Sequence, residues 1–115
     1  MQYAVITTQF EGYHRWPSAP KEVDFLRDSH RHIFHVTVWI FQSHDDREVE
    51  YIMAKRLLNK TIDEMVKEYD LLSGLSSKSC EMMCSYIQTA FKKKYNRSGV
   101  QVQVLEDNEN GALLK

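Results

Sequence analysis

Three histidines carry most of the chemistry this sequence offers. His30 and His32 stand two apart at the head of a run, His30 to Phe41, that alternates with a period of two. One side of the run carries His30, His32, Phe34, Val36, Val38 and Ile40; the other carries Arg31, Ile33, His35, Thr37, Trp39 and Phe41. The run is rich in β-branched and aromatic residues and predicts a long strand. Its first side is apolar over most of its length and should face a core, so two imidazoles point the same way from a core-facing row. His14 follows an earlier strand, expected over residues 2–11, and keeps the parity of Ile6 and Phe10. Antiparallel pairing of the two strands would lay the end of the first beside the start of the second and bring His14 to His30 and His32. Three neutral imidazoles converging from two strands suit zinc, with a fourth position open for water or substrate. The same residues also fit ordinary strand histidines held by hydrogen bonds. His35 points to the other face and His44 falls in a polar turn, so neither joins the group.

Two carboxylates stand out beside the histidines. Glu106 continues the valine side of Val100, Val102 and Val104, so its charge begins where the core ends. There it can accept hydrogen bonds from a planar heterocycle bearing N–H groups, or simply reach solvent. Asp107 beside it reads as a structural turn residue. Asp70 lies at the C-terminus of a predicted helix, where the dipole disfavours a carboxylate. That makes it a candidate catalytic acid or base, set against a solvated loop aspartate.

The elements that must position these residues follow from pattern. Gly12 reads as a bulge or bend after the first strand. Residues 15–29, with Pro17 and Pro20, form a long loop. Ser43 to Asp46 reads as a turn. Residues 49–70 place Ala54, Leu58, Ile62, Met65 and Tyr69 on one helical stripe. Residues 71–77, with Gly74 and several serines, make a second loop. Residues 79–94 place Cys80, Met83, Cys84, Ile87 and Phe91 on a second stripe, with Ser79 as N-cap. Lys92, Lys93 and Lys94 fall in its last turn as a solvated helix end, and Gly99 punctuates it. Residues 100–106 alternate as a strand, and Asn110-Gly111 signals a hairpin into a short last strand from Ala112 to Leu114. The order strand, strand, helix, helix, strand, strand is an α+β fold, ββααββ, in which two helices cover one face of an antiparallel sheet.

Composition narrows the class. The chain of 115 residues is long enough for one domain, residues 1–115, with its own core. Acidic and basic residues nearly balance at a formal charge of −1, so no global field argues for nucleic acid or membrane. No apolar run approaches the ~20 residues of a membrane helix. No signal peptide is visible at the N-terminus. Cys80 and Cys84, four apart on a helix, are poorly placed to bridge and read as reduced core thiols, which points to a cytoplasmic protein.

The ordered set of segments resembles the family of 6-pyruvoyltetrahydropterin synthase and 6-carboxytetrahydropterin synthase. Phe10-Glu11-Gly12-Tyr13-His14-Arg15 is similar to the family's F-x-x-x-H-R segment. His30-Arg31-His32-Ile33-Phe34 is similar to its H-G-H-N-[YF]. Val49-Glu50-Tyr51 is similar to V-D-F, Ser79-Cys80-Glu81 to T-S-E, and Val104-Leu105-Glu106-Asp107 to the closing V-x-E-T. The pieces keep the family's order over nearly the whole chain. The resemblance implies the T-fold: a four-stranded antiparallel sheet with two helices on one face, assembling into trimeric barrels and often hexamers. It also implies zinc on His14, His30 and His32 and a pterin anchored by Glu106.

The sequence also departs from that pattern. The family's catalytic cysteine belongs a few residues before H-G-H, where this chain has Phe25, Leu26 and Arg27. The carboxylates available in that loop are Glu22, Asp24 and Asp28. The family's D-H pair after the first helix is matched by Asp70 but has Leu71 in the histidine position. The glycine between the zinc histidines is Arg31, a cation that would suit an anionic ligand near the metal. A general base and its proton partner each contribute ~10²–10⁴-fold, so losing both leaves little of the usual reaction. Two functions follow. One is a divergent zinc-dependent lyase acting on 7,8-dihydroneopterin triphosphate or a related pterin, in biopterin, folate-like or queuosine-type synthesis. The other is a T-fold protein without catalysis that binds a pterin, purine or nucleotide-like ligand. A third, plainer expectation is a structural subunit that uses only the barrel assembly.

Overall fold

Alternation carries the first strand further than its apolar residues suggest. The computed structural model describes residues 1–95 and 99–115. The elements are β1 (Gln2–His14), a 3₁₀ segment (Lys21–Arg27), β2 (His30–Gln42), α1 (Tyr51–Glu68), α2 (Cys80–Tyr95), β3 (Val100–Glu106) and β4 (Asn110–Leu114). The fold is α+β, with one antiparallel sheet in the order β1-β2-β3-β4. The β1–β2 ladder is unbroken from Gln2↔Gln42 to His14↔His30. The bulge expected at Gly12 is therefore absent. Gly12 is there for space instead: a Cβ at that position would meet the Phe34 ring at 3.0 Å, beside the stacked pair Phe10–Phe34.

Both helices lie on one face, as the two stripes require. α1 packs on β1 through Ala54, Leu58, Ile62 and Met65, and α2 packs on β3 and β4 through Met83, Cys84, Ile87 and Phe91. They meet Phe34, Val36, Val38 and Ile40 of β2 and the three valines of β3 in one core. Each Val, Leu, Ile, Phe or Met side chain among them contributes about 1.5–3 kcal/mol when fully buried. Among the described residues the opposite sheet face carries no helix, and Val5 and Leu113 on it are 52% and 47% exposed. Cys80 and Cys84 are buried and unbridged, as the core stripe predicts.

The predicted long loop has its own architecture. Pro20 opens two short 3₁₀ turns, kinked at Val23, and the Trp16 N–H donates to the Leu26 carbonyl at 2.7 Å. Arg27 Nε donates to the Ala19 carbonyl at 2.8 Å, and Ala19 is buried. This closed loop delivers the chain from His14 back to His30. The expectation that Gly99 punctuates the end of α2 turns on residues 96–98, which lie outside the described residues.

The last hairpin turns earlier than Asn110-Gly111. Asp107 and Asn108 both sit in the left-handed region, at φ 53° and 59°, and the Glu109 N–H donates to the Glu106 carbonyl at 2.9 Å. Aspartate and asparagine tolerate this region and carry the turn. Gly111 already lies in β4, opposite Leu105. Its role is close approach: a Cβ there would fall 1.9 Å from the Val104 carbonyl oxygen. Gly111→Ala must therefore shift backbone, and a loss of about 2–3 kcal/mol is expected in denaturant unfolding. A loss under about 0.5 kcal/mol, the range of neutral surface changes, would contradict this contact.

Candidate metal centre

The site stands where β2 overhangs its neighbour. The β2–β3 ladder runs only from Phe34↔Glu106 to Ile40↔Val100, so the first residues of β2 project past it beside the end of β1. His14 pairs directly with His30, and Gly12 pairs with His32. The period of two keeps all three imidazoles on the core face of the sheet. Their ring centroids lie 4.6 Å (His14–His30), 5.3 Å (His14–His32) and 5.0 Å (His30–His32) apart, each pair edge to face. The Phe34 ring lies at 5.3 Å from His14 and 5.7 Å from His32 and forms an apolar floor. His14 is buried, while His30 and His32 are partly open.

Glu106 ends β3 on the same face and enters this group. Its Oε2 lies 2.9 Å from His14 Nε2 and 3.6 Å from His32 Nε2. One ligand atom each from His14, His30, His32 and Glu106 lie within 4.8 Å of one another, so the four can hold a metal ion. On a tetrahedral ion with bonds of about 2.0–2.1 Å, donor atoms lie about 3.3 Å apart, so small side-chain rotations close the set.

The hydrogen bonds around the ring decide which nitrogens are free. His14 Nδ1 faces the Lys78 carbonyl at 2.8 Å, His30 Nδ1 faces the Asp28 carbonyl at 3.0 Å, and His32 Nδ1 faces Asp107 Oδ2 at 2.6 Å. Each of these partners only accepts, so each Nδ1 carries hydrogen and each neutral ring keeps its lone pair on Nε2. The Nε2 atoms of His14 and His32 are buried and have no hydrogen-bond partner in that state. Against Glu106 they set lone pair against lone pair at ion-pair distance. A cation between them resolves the conflict, either a proton or a metal ion.

The electrostatics fit a site that holds one or the other. Burial alone would lower the His14 pKa, but the hydrogen bond to Glu106, the Lys78 carbonyl and the Glu106 charge together raise it. Glu106 is held below the ordinary carboxylate value by its hydrogen bond with His14, against the opposing effect of burial and with help from the other two imidazoles. Asp107 is lowered by its bonds to His32 and to the Ile33 N–H.

The remaining sequence candidates fall elsewhere. Asp70 is exposed at the end of α1 and is not among the four. Its φ of 54° explains it, since the chain turns there through the left-handed region and then buries Leu71. The Leu71 carbonyl accepts the Tyr13 N–H at 2.7 Å, which ties this turn to β1 next to His14. Glu22, Asp24 and Asp28 contribute no carboxylate to the cluster; Asp28 contributes its carbonyl. Arg31 does not face the metal centre. Alternation turns it to the far side, where its guanidinium pairs with exposed Glu11 at 2.6 Å and 2.8 Å. Cys80 meets Glu106 from the core side, and burial followed by that carboxylate pushes its thiol up to about 12. Asp107 is the site residue that the sequence reading missed.

No protein-family model matches the chain, and no curated protein sequence matches it. No helix among the described residues is long and apolar enough to cross a membrane.

Proposed function

We propose that His14, His30 and His32 bind zinc and that the chain is a divergent protein of the 6-pyruvoyltetrahydropterin and 6-carboxytetrahydropterin synthase type, with a pterin such as 7,8-dihydroneopterin triphosphate as its substrate. The observation that carries the metal is the pair of buried Nε2 atoms, lone-pair bearing in the neutral rings, that face Glu106 Oε2 at 2.9 Å and 3.6 Å. An imidazole set with one carboxylate is a common zinc environment. Bound there, zinc supplies Lewis-acid polarisation of a ligand oxygen. Glu106, the one carboxylate of the group, is the acceptor for ring N–H groups of the heterocycle. β1 and β4 are open edges of the sheet, and the helix-free face is apolar in part, both of which support assembly of several copies into a barrel.

A second reading, binding without lyase chemistry, is favoured by specific residues. Leu71 is fully buried where the resemblance expects a proton-moving histidine. The Cys80 thiol, pushed up to about 12, is no nucleophile at neutral pH. Arg31 pairs with Glu11 rather than facing the histidines.

Elemental analysis of metal-replete protein near neutral pH should find close to one zinc per chain. A content far below that overturns both readings. Turnover of 7,8-dihydroneopterin triphosphate that disappears in His32→Ala supports the lyase, whereas ligand binding without turnover supports the binding protein.

A further inference from the structure

Asp107 follows Glu106 in the turn between β3 and β4, and its two carboxylate oxygens act separately. Oδ1 accepts the Ile33 N–H at 3.0 Å, while the Asp107 N–H donates to the Ile33 carbonyl at 2.7 Å. Those two bonds extend the β2–β3 ladder past Phe34↔Glu106. Oδ2 is left to face His32 Nδ1 at 2.6 Å. One oxygen therefore sets the turn and the other sets a ring.

We propose that Asp107 is the positioning residue of the metal centre: its Oδ2 holds His32 in the Nδ1–H tautomer, aims the Nε2 lone pair into the cluster and strengthens it as a donor. This rests on the metal-binding reading of the four-residue cluster. His14 and His30 are oriented by the backbone carbonyls of Lys78 and Asp28. His32 is oriented by a side chain, and an anionic one. An anionic acceptor on the outer nitrogen raises the basicity of the inner one more than a neutral carbonyl does. His32 also lies within 5.3 Å of His14 and 5.0 Å of His30, centroid to centroid, so a misdirected lone pair there opens the whole set.

Asp107→Asn separates the two roles. The amide keeps the shape of the side chain, and its oxygen still accepts from Ile33. Its NH₂ replaces Oδ2 and can only donate, so His32 must accept on Nδ1 and carry its hydrogen on Nε2, where the ion would bind. Zinc affinity, measured by competition with a chromophoric chelator, should fall about 10–100-fold. The melting temperature of the metal-free protein should fall only slightly, for the loss of the charged bond to His32, and this fall does not depend on zinc. Long-range ¹H–¹⁵N spectra of the metal-free protein at mildly alkaline pH should show His32 protonated on Nδ1 in the parent and on Nε2 in the variant. Zinc affinity of Asp107→Asn within about twofold of the parent, a small fraction of the outer-partner effect, overturns the proposal. So does a parent His32 protonated on Nε2, a measurement that does not require the variant to fold. A parent that takes up no zinc removes the metal reading itself. Parent and variant binding zinc alike removes only the role of Asp107.

Discussion

His14→Ala is expected to lower zinc affinity by about 10²–10³-fold. Structural zinc sites with four protein ligands release about 10–16 kcal/mol on binding, about 2.5–4 kcal/mol per ligand, at 1.4 kcal/mol per tenfold. His14 should stand at the upper end of that range. It is 7% exposed, so water replaces its nitrogen poorly, and its Nε2 is the one nearest to Glu106 at 2.9 Å. Its Nδ1–H on Lys78 also ties the end of β1 to the residues that open α2. Alanine leaves that carbonyl without its donor, at a cost of about 1 kcal/mol to the metal-free protein, and also removes the group with which Glu106 pairs. The two effects separate cleanly, because metal content reports the first and chelator-treated melting reports the second. His35→Ala is the control: His35 lies on the other face of β2, opposite Gln9 and Leu105, and its removal should leave zinc content unchanged. His14→Ala retaining one tightly held zinc per chain, or His35→Ala losing it, would contradict the assignment.

Backbone geometry explains why the cluster is legible in the sequence. A strand forces alternation, so the apolar row from Phe34 to Ile40 commits His30 and His32 to the core side. An antiparallel return across a loop then places His14 opposite His30, and the register does so directly. The helices were equally legible, since a stripe at steps of three and four leaves one arrangement that buries both. The features that alternation and periodicity do not report have a different cause: each depends on a partner distant in sequence or on a backbone angle. Gly12 looks like a strand breaker until the Phe34 ring lies over it. Asp107 reads only as a turn residue, because the histidine that its second oxygen meets lies 75 positions earlier. Asp70 stands at a helix end with a left-handed φ of 54°, a local backbone feature that no periodicity reports. Arg31 lies beside two site residues in sequence, and the same alternation that aims them inward aims it out.

The metal-free and zinc-loaded proteins are expected to respond to pH in opposite directions. In the metal-free protein the cation between His14 and Glu106 is a proton. The raised pKa of His14 gives stability that is fully present below the ordinary histidine value of 6.5 and is lost as pH rises through the raised value. The lowered pKa of Glu106 gives stability that is present above its ordinary value of 4.5 and is lost as pH falls through the lowered value. The pair therefore contributes most between those two ordinary values, and the metal-free melting temperature should peak there and decline toward about pH 8. Zinc requires the opposite protonation, because it binds the Nε2 lone pair that the proton occupies. Each proton displaced costs about tenfold in apparent affinity per pH unit below the pKa of its group, and the cost multiplies for every imidazole that takes one up. Stabilisation by saturating zinc should thus be small at about pH 5 and widen steadily to about pH 8. Melting curves of chelator-treated and zinc-loaded protein across that range measure both trends at once. A gap between the curves that does not change with pH would mean that zinc binds without displacing a proton from this cluster. A metal-free optimum at about pH 8 would mean that His14 and Glu106 share no proton in the folded protein.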